Sequence, residues 1–227
     1  PDKGADHLDF RLANDGEVLA LLDTTGVPLD FAVFGPQAAG VSAGRDEQGK
    51  LIFFERPTPG KLVGADIDAI AEQQIASIRI SEVHFNPSEE EDEEFIELTN
   101  IGQAAVPLQG LTFAQGIEWE SDASELAHNE SIVVVKDRKA FRQRYGKNIR
   151  LGGEFRGKLS NGGERLQLTT SSGVTICDIN YSDKWHAAAD GKGKSLEVID
   201  LRASRFDRKN AWRASASNGG SPGKTQS

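Results

Sequence analysis

The chain has 227 residues, enough for one large or two small domains, with 35 acidic against 26 basic residues and a formal net charge of -9. A field of that sign repels phosphate backbones, so nucleic acid is not expected as a partner, and the single cysteine excludes a disulfide framework within the chain. Only 37% of residues are hydrophobic while 24 are glycine, a balance that favours a turn-rich β protein over a helical one.

In chain order, the first readable element is a strand around Val18–Leu22. Leu19 and Leu21 alternate with Val18, Ala20 and Leu22, so both faces are apolar and both need cover. Either this strand packs on the rest of the chain, or it lacks its own sheet partners. Gly40-Val41-Ser42-Ala43-Gly44 has the G-x-S-x-G form of a nucleophile elbow. That motif requires a strand-to-helix turn, whereas Arg45–Lys50 is charged and turn-like, so a hydrolase using Ser42 is only a formal competitor. Residues 62–76 read as a linker. Within it, Ala65–Ala76 places Ile67, Ile70, Ala71, Gln74 and Ile75 on one helical face.

Short apolar-alternating or β-branched runs then recur between turn signals: Ile78–Phe85, Phe95–Thr99, Ser131–Lys136, Arg165–Thr169, Val174–Asn180 and Ser195–Ile199. This spacing predicts a sandwich or barrel. Between the first two runs lies the acidic stretch Glu89–Glu94. It lacks the glycine and asparagine spacing of a calcium loop and reads as a solvated loop that discourages edge pairing, with weak Ca²⁺ binding as the alternative. Glu82 and Glu97 fall on neighbouring strands and form a formal acid–base pair. Together with Asn86 and Asn100, they are expected instead to satisfy backbone groups of adjoining loops. His84, His128 and His186 sit in unrelated contexts, without zinc-ligand spacing. Trp119, Trp185, Trp212 and Cys177 are expected in the core or at sheet ends. The basic residues of Lys136–Lys158 and Arg202–Arg213 read as solvated faces.

Gly193-Lys194-Ser195 resembles the tail of a phosphate-binding loop, but Ala188 stands where that loop needs glycine. A strand, not a helix, follows. No catalytic, cofactor-binding or metal-ligating residue is expected.

An internal repeat organises the rest. LANDGEVLALLDTTGV (12–27) aligns without gaps to LSNGGERLQLTTSSGV (159–174), with leucines, glycines and the Glu17/Glu164 pair in common. Thr58-Pro59-Gly60-Lys61 echoes Ser221-Pro222-Gly223-Lys224. In the second copy Asn161-Gly162-Gly163 turns the chain into a strand, Ser171-Ser172-Gly173 turns it again so that Leu166, Leu168, Val174 and Ile176 face one core, and Pro222-Gly223 ends the module.

ISEVHFNP (80–87), EEFIELTN (93–100), LQGLTF (108–113), IVVVKD (132–137), LSNGGERLQL (159–168), DGKGKSLEVID (190–200), the tryptophan of NAWRAS (210–215) and SPGK (221–224), in that order, resemble the lamin tail domain family. The segment Lys136–Arg156 is longer than the connection expected there. The resemblance implies an all-β fold, an immunoglobulin-like β-sandwich over 77–224 followed by a tail at 225–227. Residues 1–61 resemble the second half of a further copy, a partial β repeat.

Such domains occur in nuclear lamins and in large bacterial exported proteins, often beside enzymatic domains. The function implied is a non-catalytic structural or interaction module with a protein partner, and not an enzyme. The expected location is secreted or at the bacterial cell surface, without membrane insertion. The alternative is an accessory targeting domain that binds polysaccharide or, weakly, Ca²⁺. Self-association through the partial repeat is a further expectation. The absence of methionine and the start at Pro1 read as a processed or excised form of a longer protein.

Overall fold

Asp23 organises the first hairpin. Its Oδ1 accepts hydrogen bonds from the Thr25 and Val27 amides, both at 2.8 Å, and Gly26 supplies the positive φ of 85° that closes the turn. On either side lie β1 (Glu17–Leu22) and β2 (Pro28–Phe34), paired antiparallel. β3 (Ser42–Arg45) and β4 (Leu51–Phe54) form a second antiparallel hairpin. These strands belong to the first of two compact units, Pro1–Asp66 and Ile67–Ser227. The computed structural model describes residues 11–38, 40–45, 49–54, 69–87, 91–203 and 205–224. The start of the expected helix (65–68), the 58–61 echo, the first part of the acidic run (88–90) and the tail at 225–227 lie outside the described residues.

In the second unit α1 (Ala69–Ser77) runs directly into β5 (Ile78–His84). Gln74 is buried in α1 because its amide donates to the Pro107 and Gln109 carbonyls at 2.9 and 3.1 Å. There follow β6 (Phe95–Asn100), β7 (Val106–Pro107), β8 (Thr112–Gln115), β9 (Glu125–Leu126) and β10 (Ser131–Val135). Next come α2 (Arg138–Tyr145), β11 (Leu151–Glu154), β12 (Arg165–Thr169) and β13 (Thr175–Asn180). β14 (Leu196–Val198) and β15 (Trp212–Ala214) complete the set.

A six-stranded sheet, β11-β10-β6-β5-β14-β15, and a three-stranded sheet, β13-β12-β8, enclose one core. The large sheet is mixed, since β10 and β11 run parallel while its other pairs are antiparallel. Ile80, Val83, Ile96, Leu98, Leu196 and Trp212 face Phe113, Leu166, Leu168 and Ile179 across this core. The outcome is a β-sandwich, one of the two architectures that the strand spacing predicts and the one that the family resemblance implies.

One local expectation is corrected. A bulge between Leu168 and Thr169 shifts the phase of β13, so Cys177 and Ile179 take the buried positions and Ile176 is only partly covered.

α2 was not expected. Asp137 caps it, accepting from the Ala140 amide at 2.6 Å. Phe141 and Tyr145, four residues apart on one helical face, cover Phe95, Val133 and Val135 on the outside of the large sheet.

Candidate functional site

A bulge in β5 creates the most unusual chemical environment in the second unit. The register slips between Ile80 and Glu82, so Ile80 and Val83 both reach the core while Ser81 and Glu82 stand side by side away from it. Glu82 opposes Glu97 on β6 and Glu197 on β14, and Glu197 opposes Arg213 on β15. Three carboxyl groups therefore lie in one row across the sheet, and all three residues are buried.

Burial of this kind is costly unless every oxygen finds a donor. The Ser195 hydroxyl donates to Glu82 Oε1 at 2.5 Å, and the Ser221 amide donates to the same oxygen at 2.8 Å. Ser81 Oγ donates to Glu97 Oε1 at 2.7 Å and the Gly223 amide to Oε2 at 2.6 Å. Ser221 Oγ lies 2.9 Å from Glu197 Oε1 and 3.2 Å from Glu82 Oε2. A hydroxyl has one proton to give. The nearer carboxylate takes it, and a protonated Glu82 completes the set by donating to Ser221 Oγ. Arg213 Nε then closes the row at 3.1 Å from Glu197 Oε2.

The electrostatics agree with this proton placement. Burial raises Glu82 to about 8, further helped by the neighbouring Glu97 and Glu197, and against the Ser195 and Ser221 donors. Burial likewise raises Glu97 to about 7, opposed by Ser81 and Gly223. On the same face, His84 is fully buried and neither ring nitrogen reaches a partner of good geometry. Burial and the Arg144 charge lower it to about 4, with the Glu93 backbone opposing, so it is neutral.

The cover over the row is the segment 215–224. Gly219 and Gly220 have φ of 83° and 77°. A Cβ on Gly220 would collide with the Glu82 carboxyl and Ser195 Oγ. Gly219 accepts from the Tyr145 hydroxyl at 2.8 Å, and Lys194 Nζ donates to the Ser215 and Ala216 carbonyls at 2.8 and 2.6 Å. The segment is thus a strap, held at its start by Lys194, in its middle by α2 and at its end by the glutamates.

A comparison with protein families matches residues 71–183 to the Lamin Tail Domain. Residues 71–183 are a lamin tail domain. The match carries with it an immunoglobulin-like β fold, consistent with the sandwich described, and a non-catalytic module. Searches of the curated proteins and of the solved structures return no match. In this chain the sandwich continues beyond the matched residues, since β14 pairs with β5 and β15 with β14.

The lamin tail domain brings together Glu82 and Glu97 but not the other polar residues singled out with them. Asn86 donates to Asp190 Oδ1 at 2.7 Å. Asn100 holds the following loop, donating to the Ala104 and Leu126 carbonyls and accepting from the Gly102 amide, each at 2.8 Å. Lys194 is occupied by carbonyls and β14 follows Ser195, so this stretch has neither the free cation nor the helix of a phosphate loop.

Trp119 and Trp212 are core residues whose indoles donate to the Gly152 and Phe206 carbonyls at 2.8 and 2.7 Å, and Trp185 packs against Trp212. Cys177 is buried and free. His186 pairs with the Trp212 carbonyl at 2.8 Å and His128 with the Gly102 carbonyl. Ser42 lies at the start of strand β3, paired with Phe54, and the described part of its unit contains no histidine. Of the acidic run, Glu91–Glu93 forms a single 3-10 turn. Within the two basic stretches, Arg144 pairs with Glu93, Arg150 with Glu130, and Arg213 with Glu197.

Sequence reasoning passed over Glu197, Ser195, Ser221 and Gly220 as partners of the carboxylates. A signal was present: a single glutamate inside each of the runs Ile78–Phe85, Phe95–Thr99 and Ser195–Ile199, with a distant Gly-Gly-Ser-Pro-Gly able to supply backbone donors.

Proposed function

We propose that the chain is a non-catalytic interaction module of a larger exported protein, and that it associates with a protein partner through the outer face of the first hairpin. The observation that carries this reading is the chemistry of that face. Val18 opposes Val33 and Ala20 opposes Phe31; Val18, Leu29, Phe31 and Val33 are each about 60% exposed, at 63%, 64%, 60% and 59%. At the repeat-equivalent places of β12 and β13, Arg165 and Asp178 form an ion pair at 2.5 Å. An apolar patch where the sister hairpin is charged is the mark of a surface meant to be covered.

The lamin tail domain supports the same reading from the other side. Its buried carboxyl groups are consumed by its own strap, an arrangement that organises structure and leaves them without access to a substrate. The accessory-targeting alternative loses a sugar-stacking platform, because Trp119 and Trp212 are in the core.

Dye binding and light scattering test the proposal. The full chain should bind an apolar-surface dye or self-associate, and the pair Phe31→Asp with Val33→Asp should abolish both while leaving the melting of the lamin tail domain unchanged. A monomer that binds no dye would sink it.

A further inference from the structure

The two hairpins β1–β2 and β12–β13 are built alike down to single hydrogen bonds. Shifting the number by 147 carries the Ala13 amide–Glu17 Oε1 bond onto the Ser160 amide–Glu164 Oε1 bond. It carries the Asp23–Val27 turn bonds onto Thr170–Val174, from backbone to side chain. The bulge between Leu21 and Leu22 falls on that between Leu168 and Thr169. Gly16, at φ 110°, lies against Phe34 and Gly35 as Gly163, at φ 106°, lies against Tyr181 and Ser182. In each unit a second antiparallel pair then follows, β3–β4 and β14–β15.

What β12–β15 touch in the lamin tail domain is therefore informative about what β1–β4 lack. The free edge of β12 takes β8, with Leu168 opposite Phe113, and the free edge of β14 takes β5, with Glu197 opposite Glu82. Leu166 and Leu168 are fully buried by these neighbours. Among the described residues of the first unit, β1–β2 and β3–β4 are separate two-stranded sheets. Leu21, the counterpart of Leu168, is 63% exposed.

We infer that β1–β4 are the back half of a second lamin-tail-type sandwich, and that their inner face and two open strand edges receive a front half of the same family. The occupant is a polypeptide with the strand pattern of Ile78–Glu154. A strand like β8, carrying a large apolar residue opposite Leu21, adds to β1. A strand like β5 adds to β3 and brings a glutamate to the Ser42 hydroxyl, the place that Ser195 takes beside Glu82. Asp30 puts a carboxylate on this inner face: it stands where Cys177 is buried, and Arg45 pairs with it at 2.9 Å. This seat is on the side of the hairpin opposite the patch used for the proposed function, so the two readings fail separately.

Two altered forms of the full chain test the inference by hydrogen exchange. In one, a copy of residues 69–158 is fused ahead of residue 11. In the other, residues 159–181 are replaced by residues 12–34 carrying Asp30→Cys. The fusion should slow exchange in Val18–Leu22 and Ser42–Arg45 at least 100-fold over the full chain, and Leu21→Asp should reverse that. The replacement should keep cooperative unfolding with Leu196 and Val198 protected. Success of either supports the inference. Failure of both overturns it, as does a full chain whose β1 is already protected in a dimer seen by light scattering, which would make a second copy the occupant.

Discussion

Ser221 Oγ stands 2.9 Å from Glu197 Oε1 and 3.2 Å from Glu82 Oε2, and one hydroxyl proton cannot serve both. The arrangement is complete only when Glu82 is itself protonated. The same strap residue therefore bonds through its hydroxyl to one charged and one neutral carboxyl group, and the closed form of the domain depends on holding a proton that water would remove.

This gives the lamin tail domain an unusual dependence on pH. Glu82 and Glu97 are raised to about 8 and 7, so the folded state holds protons that the unfolded chain releases near 4.5. Their contribution is fully present below about pH 4.5 and is lost as pH rises through 7 and 8. Each proton contributes a slope of about 1.4 kcal/mol per pH unit over its window. Urea unfolding at pH 5, 6.5 and 8 should show stability falling with pH, and Glu82→Gln should remove about one proton's share of the slope. Flat or rising stability over this range overturns the assignment.

His84 acts in the opposite direction. Its folded value is lowered to about 4 from an ordinary 6.5, so the stability tied to its neutral form is present above 6.5 and lost as pH falls toward 4. Taken with the two glutamates, these groups place the optimum near pH 4 to 5. His84→Leu should unfold later than the parent at pH 4.5 and show a smaller difference at pH 7, measured as the shift in urea midpoint. A variant destabilised equally at both values contradicts this.

Gly220 and Gly157 have similar positive φ values, 77° and 87°, but different surroundings. A Cβ at Gly157 meets nothing within 4 Å, while one at Gly220 meets the Glu82 carboxyl. Gly157→Ala should cost about 1 kcal/mol. Gly220→Ala should cost about 3 kcal/mol or more, since the strap must lift and strand the carboxyl. Thermal melts of both variants decide the matter, and equal losses would show that the strap is not closed in solution.

Leu168 and Leu21 occupy the same place in the repeat, one fully buried and the other 63% exposed. Leu168→Ala should destabilise by about 2–5 kcal/mol. Leu21→Ala should stay within about 0.5 kcal/mol in the chain alone. Denaturation followed by far-UV circular dichroism separates the two. A large loss from Leu21→Ala would show that its face is already covered.

Much of the sandwich was legible because turns and strands are local. Asn161–Gly163 and Ser171–Gly173 announce β12, and the alternation of Leu166 and Leu168 states which side is dry. The paired Glu82 and Glu97 could be placed on neighbouring strands for the same reason. Their partners could not, because a bulge at Ser81 breaks the two-residue period, and Ser221 reaches Glu82 across 139 positions of chain. α2 was hidden by its composition. Arg138, Lys139, Arg142 and Arg144 make the stretch look like a charged loop, and only the Asp137 cap and the Phe141/Tyr145 spacing betray a helix.

The strap also sets an order of events. Strands β5 and β6 are made early, but the donors that neutralise their glutamates come from Ser195 and from Ser221–Gly223. A chain made or threaded from its amino end must keep those carboxylates hydrated until Ser221–Gly223 arrive, because closing the sheet sooner would bury charge without partners. Closure over this row is therefore governed from the carboxyl-terminal side of the sandwich, and a truncation before Gly223 leaves its strands all present but takes away the amide that bonds Glu97 Oε2.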